Sequence, residues 1–240
     1  MPKDKKPLPL IEPTKLIVKQ SNELVGARYA LTFAESRVLA VAISREKWSE
    51  SIPKQVTITA KRYAQAWGVD LRTAYQQLKL GTLELYERSL ILWRDRGKDD
   101  ETRFLQRRVI DDGEGKVTLV FSDYLLPLLN QLSEQFTHSR MQDLRYLQRP
   151  PAFRLFYMAM QWKSVGKFQV TLERLRHDLE LSESYVAYKA MNYRILKPAI
   201  QEINETTDYL IQYKPLKKGR KVDSLEFTII QKSQKSLDFD

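Results

Sequence analysis

The residues with the clearest capacity for chemistry are four cations that surround one glycine. Lys217, Lys218, Arg220 and Lys221 flank Gly219, a residue that favours a tight turn between two strands. Such a tip would lie along a phosphate backbone, and its affinity would come from counterion release and fall steeply with salt. The same charges could instead protect solubility or prevent edge-to-edge strand pairing. Because four cations share one tip, we favour phosphate contact.

A predicted helix before this tip carries groups that could read bases. At about 100° per residue, one side of segment 184–204 is apolar and predicts the core-facing side. The other side carries Val186, Ala190, Tyr193, Arg194, Lys197 and Gln201. The candidate DNA-contacting residues of this segment are Ser184, Val186, Lys189, Ala190, Tyr193, Arg194 and Lys197. Small residues near the helix start permit close approach to a major groove, Arg194 can pair with a guanine edge, and Lys197 can meet a phosphate. A plain solvated helix face is the alternative.

Pro198 conflicts with one continuous helix over this segment. It has no N–H and should clash with the carbonyl of Arg194, so the helix is expected to kink or restart there. The reading half then ends near Lys197, and the core half begins.

The first half of the chain carries a less basic candidate set. It consists of Arg72, Thr73, Gln76 and Lys79, on the outward side of another predicted helix. Three arginines flank a nearby predicted hairpin and could touch DNA or be exposed strand positions: Arg103, Arg107 and Arg108.

The composition fits a polyanionic partner and removes most enzyme classes. The chain has 40 Lys plus Arg against 30 Asp plus Glu, a net charge of +10, which favours nucleic acid or an acidic membrane surface. It has no cysteine and two distant histidines, so no thiolate or histidine metal site is expected. No P-loop, nucleophile elbow or dinucleotide-binding fingerprint occurs. We therefore expect no catalysis, no metal and no cofactor.

The same sequence gives no sign of a membrane segment or of export. No apolar run approaches the ~20 residues that span a bilayer, and the first residues lack the apolar stretch of a secretory signal. We expect a cytoplasmic protein without membrane contact.

Local signals in the first half predict a helix-turn-helix followed by a hairpin. Thr32 with Glu35 forms a capping-box pattern before an apolar stripe over 31–43, which could be core or a dimer seam. Strand 56–59 leads to helix 60–67, Gly68 as its C-terminal stop, and a helix capped by Asp70 that runs through residue 83. Apolar runs at 90–93, 104–110 and 117–121 predict strands, separated by turn-rich runs at 96–100 and 111–115. Ser122 is expected to cap a helix over 124–132.

The second half repeats this order, so the predicted fold is α+β with two tandem winged-helix domains. Helix 152–162, strand 168–170, a helix capped by Thr171, the segment 184–204 and strands 209–214 and 224–230 follow one another. Residues 215–221 are expected to form the loop of the second wing. The predicted organisation is a flexible basic tail over 1–20, a first domain over 21–148 and a second domain over 149–240.

The ordered set of motifs resembles the replication initiator (Rep) proteins of iteron-containing, theta-replicating bacterial plasmids, of the F-type initiator class. The similarity extends from about Ser21 to Ile230. In the first half it rests on Tyr29–Thr32, Glu35, Arg37, Leu39, Val56–Ala60, Tyr63, Ala64, Gly68–Asp70, Leu119–Ser122 and Gln135–Thr137. In the second half it rests on Arg154–Phe156, Leu172–Arg176, Leu196–Asn204, Thr207, Asp208 and Lys217–Val222.

This resemblance implies a non-enzymatic plasmid initiator with several partners. Monomers would bind direct repeats (iterons) at the origin with both domains and recruit the host initiator protein and the replicative helicase. Dimers, joined through the first domain, would repress their own gene at an inverted repeat, and chaperones would convert them to monomers, which links the protein to copy-number control. The first domain would add DNA-backbone contacts, and the second would be the main sequence reader, with Tyr193 and Arg194 facing bases on helix 184–197.

Three other functions compete with this one. A transcriptional repressor of the same fold would bind DNA without supporting replication. A protein-interaction module would bind duplex DNA weakly and without selectivity. A nicking enzyme would need a divalent metal and would cut supercoiled origin DNA.

Overall fold

The computed structural model describes residues 10–47, 49–92, 100–130 and 136–232. The helices are α1 (Asn22–Gly26), α2 (Phe33–Ile43), α3 (Ala60–Trp67), α4 (Leu71–Glu87), α5 (Leu125–Asn130), α6 (Met141–Leu144), α7 (Pro150–Gln161), α8 (Leu172–Asp178), α9 (Tyr188–Met191) and α10 (Lys197–Thr206). The strands are β1 (Ile17–Ser21), β2 (Ser44–Arg45), β3 (Gln55–Thr59), β4 (Ser89–Leu92), β5 (Asp100–Arg103), β6 (Leu105–Asp111), β7 (Lys116–Phe121), β8 (Phe136–Arg140), β9 (Lys167–Thr171), β10 (Tyr209–Lys218) and β11 (Lys221–Gln231). Short 3₁₀ turns cover Pro13–Lys15 and Glu183–Tyr185, and a π-helical turn over Asn192–Leu196 joins α9 to α10.

Side-chain caps start the helices of the first module where the sequence predicts them. Thr32 Oγ1 accepts from the Glu35 N–H while the Glu35 carboxylate accepts from the Thr32 N–H, so the capping box is confirmed. Thr59 caps α3 in the same way, and Asp70 caps α4 through the Thr73 N–H at 2.9 Å. Gly68 has φ +65°, the left-handed conformation that lets α3 end and α4 begin three residues later.

Small antiparallel sheets complete the two winged helices. In the first module β7 lies between β3 and β6, and β4 pairs with β5. In the second module β11 lies between β10 and β9. Each module thus places a helical pair beside a hairpin, β6–β7 or β10–β11, and the predicted winged-helix fold is confirmed. Of the predicted turn at 96–100, only Asp100 lies within the described residues, and it begins β5.

The prediction of a flexible tail over residues 1–20 is wrong from residue 13 onward. β1 is the central strand of a sheet with the order β2-β1-β8, and Leu16 and Val18 are fully buried. Even Lys19 is buried, and burial lowers its pKa. The strand was missed because it is short and polar, and its partner strand β8 lies more than a hundred residues away along the chain. Residues 1–9 lie outside the described part.

The second wing is longer than predicted. β10 and β11 stay paired up to Lys218 and Lys221, so the turn is Gly219 and Arg220 rather than the loop over 215–221. Gly219 has φ +65°, as two-residue hairpin turns require at that position. The register shifts beside Leu216, which leaves Asp223 as an extra residue and increases the local twist.

Arg154 joins the two modules inside one continuous core. Its Nη2 donates to the carbonyl oxygens of Val25 at 3.0 Å, Ala27 at 2.7 Å and Asp178 at 3.0 Å. The guanidinium carbon lies 3.8 Å from the ring centroid of Tyr29. Helix α7, which carries Arg154, packs against α1 and β8 of the first module and against α10 of the second. A boundary at 148/149 therefore assigns to the second module a helix that both modules share.

Candidate nucleic-acid interface

The helical segment predicted over 184–204 begins later in the structure. Ser184 belongs to a 3₁₀ turn, and the backbone at Ala187 is extended, so α9 begins only at Tyr188. The hydroxyls of Ser182 and Ser184 share a hydrogen bond of 2.6 Å. Serine hydroxyls that bond locally compete with helix formation, which explains why the prediction of a helix from Ser184 is wrong.

The helical backbone does not break at Pro198 as a restart would require: Leu196 and Lys197 keep right-handed helical angles, and a π-helical turn leads directly into α10. The N–H of Lys197 donates to the carbonyl of Asn192, five residues earlier, which is the π-helical pattern. Pro198 then lies in the first turn of α10, where a missing N–H is tolerated. The π turn places Tyr193 and Arg194 on a locally widened helix, in the middle of the candidate reading surface.

The two faces of this segment divide as the sequence predicts. Leu196, Ala199, Ile200 and Ile203 are buried, and Met191 joins them. The candidate contact residues point outward: Val186 is 51 % exposed, Tyr193 is 75 % exposed, Ser184, Lys189, Arg194 and Lys197 are exposed, and Ala190 is half-buried. Among the residues that the structure describes, the cations Lys189, Arg194 and Lys197 make no ion pair. Their contact with DNA stays a prediction.

The tip of the second wing presents four cations to solvent. Lys217, Lys218, Arg220 and Lys221 are all exposed, and none forms an ion pair with a described residue. Lys218 and Lys221 lie directly opposite each other in the last pair of the ladder. Like charges in that position destabilise a hairpin, and a bound anion would relieve the repulsion. Further from the tip, Lys214 pairs with Glu226 at 2.6 Å, so its charge is already engaged.

In the first module, some of the candidate DNA-contacting residues already bind other groups of the protein. Lys79 Nζ lies 2.8 Å from Oδ1 of Asp112, at the tip of the β6–β7 hairpin, and the Tyr75 hydroxyl donates to the same oxygen. These bonds lower the pKa of Asp112, that from Lys79 most strongly, and the pKa of Tyr75 rises to about 12 through desolvation first and Asp112 second. Arg72 and Gln76 are exposed, and Thr73 is half-buried beside the Asp70 cap.

The three arginines that flank the first hairpin differ in whether they contact other groups of the protein. Arg103 donates to Glu87 at 3.3 Å and to the Tyr86 carbonyl, so it is engaged within the protein. Arg108 lies over the Tyr86 ring at 5.1 Å. Arg107 is exposed on β6.

Sequence reasoning missed the residues that hold the reading segment in place. The Tyr213 hydroxyl donates to Asn192 Oδ1, at the first residue of the π turn. Burial raises the pKa of Tyr213 to about 12, with a smaller contribution from Tyr188. Alternation along β10 puts Tyr209, Ile211 and Tyr213 on one face, so the strand pattern carried a signal for an inward tyrosine.

The described parts of the chain hold no cluster of His, Asp and Glu that could bind a metal ion. No helix within them is long and apolar enough to cross a membrane.

Comparisons with known proteins identify the family. Residues 17–160 match the profile described as "Initiator Replication protein, WH1", and residues 171–229 match "Initiator Rep protein, WH2". The chain belongs to the initiator replication protein family. The WH1 match begins at β1 and runs nearly to the end of α7, in agreement with a structured N-terminal strand and a shared α7.

This chain is also similar to individual proteins and to a solved structure. It is 28 % identical over 213 residues to a 27.6 kDa protein of Escherichia coli, covering 83 % of this chain and 89 % of that protein. It is 25 % identical over 224 residues to a replication initiation protein of Escherichia coli, covering 90 % and 70 %. A crystal structure of the Pi initiator protein in complex with iteron DNA shares the fold, with a TM-score of 0.75, 17 % identity and coverage of 93 % of this chain and 100 % of that chain.

Proposed function

We propose that this initiator starts plasmid replication by binding direct repeats at the plasmid origin as a monomer. The observation that carries the proposal is in WH2, where the outward reading segment and the wing tip together present cations that form no ion pair with any described residue. Arg194 would read a guanine edge, Tyr193 would contact bases, and Lys189 and Lys197 would meet phosphates. Lys217 to Lys221 would follow the backbone beside them.

The two domains would act on one repeat. α4 of WH1 and the α9–π segment of WH2 would enter successive major-groove faces about one turn (~34 Å) apart. The relative position of the domains matters for this, because both must meet the same duplex, and Arg154 donates hydrogen bonds to carbonyls of both. WH1 would mainly add backbone contacts, and WH2 would supply most of the sequence selectivity.

The remaining activities follow from the resemblance to plasmid initiators. Monomers on the repeats would recruit the host initiator and the replicative helicase in the bacterial cytoplasm. Dimers formed through WH1 would repress the initiator gene at an inverted repeat, and chaperones would shift dimers to monomers and thereby set copy number. We propose no catalytic activity and no cofactor, so supercoiled origin DNA with Mg²⁺ should stay uncut.

The test is fluorescence anisotropy with duplexes that tile the DNA flanking the gene, from about 50 to 200 mM salt, against scrambled duplexes. Tight binding confined to a direct-repeat tile supports the proposal. Binding confined to an inverted repeat at the promoter, with failure to maintain an origin plasmid in trans, identifies a repressor instead. Weak binding without sequence preference, lost as salt rises, directs the search to protein partners.

A further inference from the structure

We propose that Asp112, at the tip of the WH1 wing, is an internal competitor of DNA phosphate for Lys79 and Tyr75 of α4. The inference rests on the proposed function, because it concerns the side of α4 that would face DNA. When DNA is absent, the exposed carboxylate of Asp112 would bind the two groups of α4, Lys79 and Tyr75, that could otherwise bind a phosphate.

The geometry puts the carboxylate where a phosphate oxygen would bind. Tyr75 and Lys79 are one helical turn apart on the outward side of α4, and both donate to the same oxygen of Asp112. The Asp112 side chain is 66 % exposed, and Lys79 is 41 % exposed. The contact is therefore open to solvent and can exchange for another anion without disturbing the core.

The tips of the two wings carry opposite charges, so the Asp112 contact affects how WH1 attracts DNA. The WH2 tip carries four cations, whereas the WH1 tip carries Asp111, Asp112 and Glu114. Lys116 pairs with Asp111 at 3.6 Å and with Glu114 at 2.5 Å, but its single positive charge offsets only one of these three negative charges. A DNA phosphate that approaches α4 must displace Asp112 and then lie beside a negative tip. Asp112 thus weakens the attraction of WH1 for any duplex.

The contact should be visible in the salt dependence of binding. Each Lys that neutralises a phosphate adds about 0.9 to the slope of log affinity against log salt. In the wild type Lys79 is paired with Asp112, so the contribution of Lys79 to this slope is reduced. Asp112→Asn removes the charge, keeps the size, and keeps an oxygen that can accept from Tyr75.

Glu114→Gln is the matched control. It removes one negative charge from the same tip, but Glu114 contacts Lys116 and not α4, and Lys116 retains Asp111. General repulsion between the tip and DNA changes equally in both variants. The difference between them reports the release of Lys79.

The experiment measures the full chain on a scrambled duplex by anisotropy across about 50–200 mM salt, with thermal unfolding as a folding check. We expect Asp112→Asn to bind about two- to five-fold more tightly than Glu114→Gln, the range for an exposed ion pair, with a salt slope larger by about 0.9. In a Lys79→Gln background the gain should vanish. Equal affinities for the two variants, or a gain that survives Lys79→Gln, overturns the inference.

The wild type separates this inference from the proposed function. If the wild type selects the direct repeat but Asp112→Asn equals Glu114→Gln, only the inference fails. If the wild type shows no selectivity for the repeat, the proposed function fails whatever the variants do. If it binds no duplex, both fail.

Discussion

The hydroxyl of Tyr213 donates a hydrogen bond to Oδ1 of Asn192 at 2.5 Å, and this bond ties the WH2 wing to the reading segment. Tyr213 ends a row of rings that crosses the sheet: its centroid lies 5.6 Å from Phe227, which stacks on Phe168 at 4.8 Å. The row is rigid because its rings pack across neighbouring strands. A π turn is rare and short, so we expect this hydrogen bond at its first residue to help hold the turn that carries Tyr193 and Arg194.

Removing this anchor should reduce selectivity rather than general affinity for DNA. We expect Tyr213→Phe to bind the direct repeat about three- to ten-fold more weakly, the range for one intramolecular hydrogen bond, with unchanged affinity for a scrambled duplex. Anisotropy with both duplexes measures the ratio. Tyr209→Phe is the control, because that ring packs on Phe156 at 5.9 Å instead of on the reading segment. Equal losses on the two duplexes would contradict a positioning role.

Arg194 should carry selectivity at one base pair. It is exposed on the π turn and has no ion-pair partner among the described residues, so its guanidinium is available to a guanine edge. Arg194→Ala should cost about 1–3 kcal/mol on the repeat and relax discrimination at one position. A panel of single-base repeat variants measures this effect. Lys197→Ala serves as comparison, since loss of a phosphate contact should weaken all sequences alike. An Arg194→Ala protein that loses the same affinity on random DNA would refute base reading.

The WH2 tip should set much of the salt dependence. Replacing Lys217, Lys218, Arg220 and Lys221 with Gln should weaken binding to every duplex and flatten the slope of log affinity against log salt, by up to about 0.9 for each cation that meets a phosphate. Lys214→Gln is the matched control on the same hairpin, because Lys214 already pairs with Glu226. We expect its slope to equal that of the wild type. A tip variant with an unchanged slope would show that the cations serve only solubility.

Local chemistry explains which parts of the fold could be predicted. Thr32, Thr59, Asp70 and Thr171 each accept a backbone N–H within three residues, so the sequence nearby carries all the information that starts those helices. The same holds for Gly68, whose left-handed backbone ends α3. The order of caps, stops and apolar runs was enough for the winged-helix fold.

Long-range pairing explains what could not be predicted. β1 is stabilised by strand β8, which no pattern within residues 17–21 reveals. The Lys79 contact depends on Asp112, at a hairpin tip 33 residues further along the chain. The sequence near Lys79 therefore does not reveal that its ammonium group is paired. The break before Tyr188 follows from competition between local serine bonds and the helix, and periodicity alone does not measure that competition.

Arg154 should link the stability of WH1 to that of WH2. It is buried, and its Nη2 donates to carbonyls of both modules, so Arg154→Ala leaves a cavity and unsatisfied carbonyl groups at their junction. We expect a loss of about 3 kcal/mol or more in the free energy of unfolding by urea, and separate transitions for the two modules in place of a shared one. Arg149→Ala, which removes an ion pair of 3.4 Å between the exposed Arg149 and the largely buried Glu202, should cost less than Arg154→Ala, because Arg149 itself is not buried. A single transition with a loss no larger than that of Arg149→Ala would mean that the apolar core, and not Arg154, couples the modules.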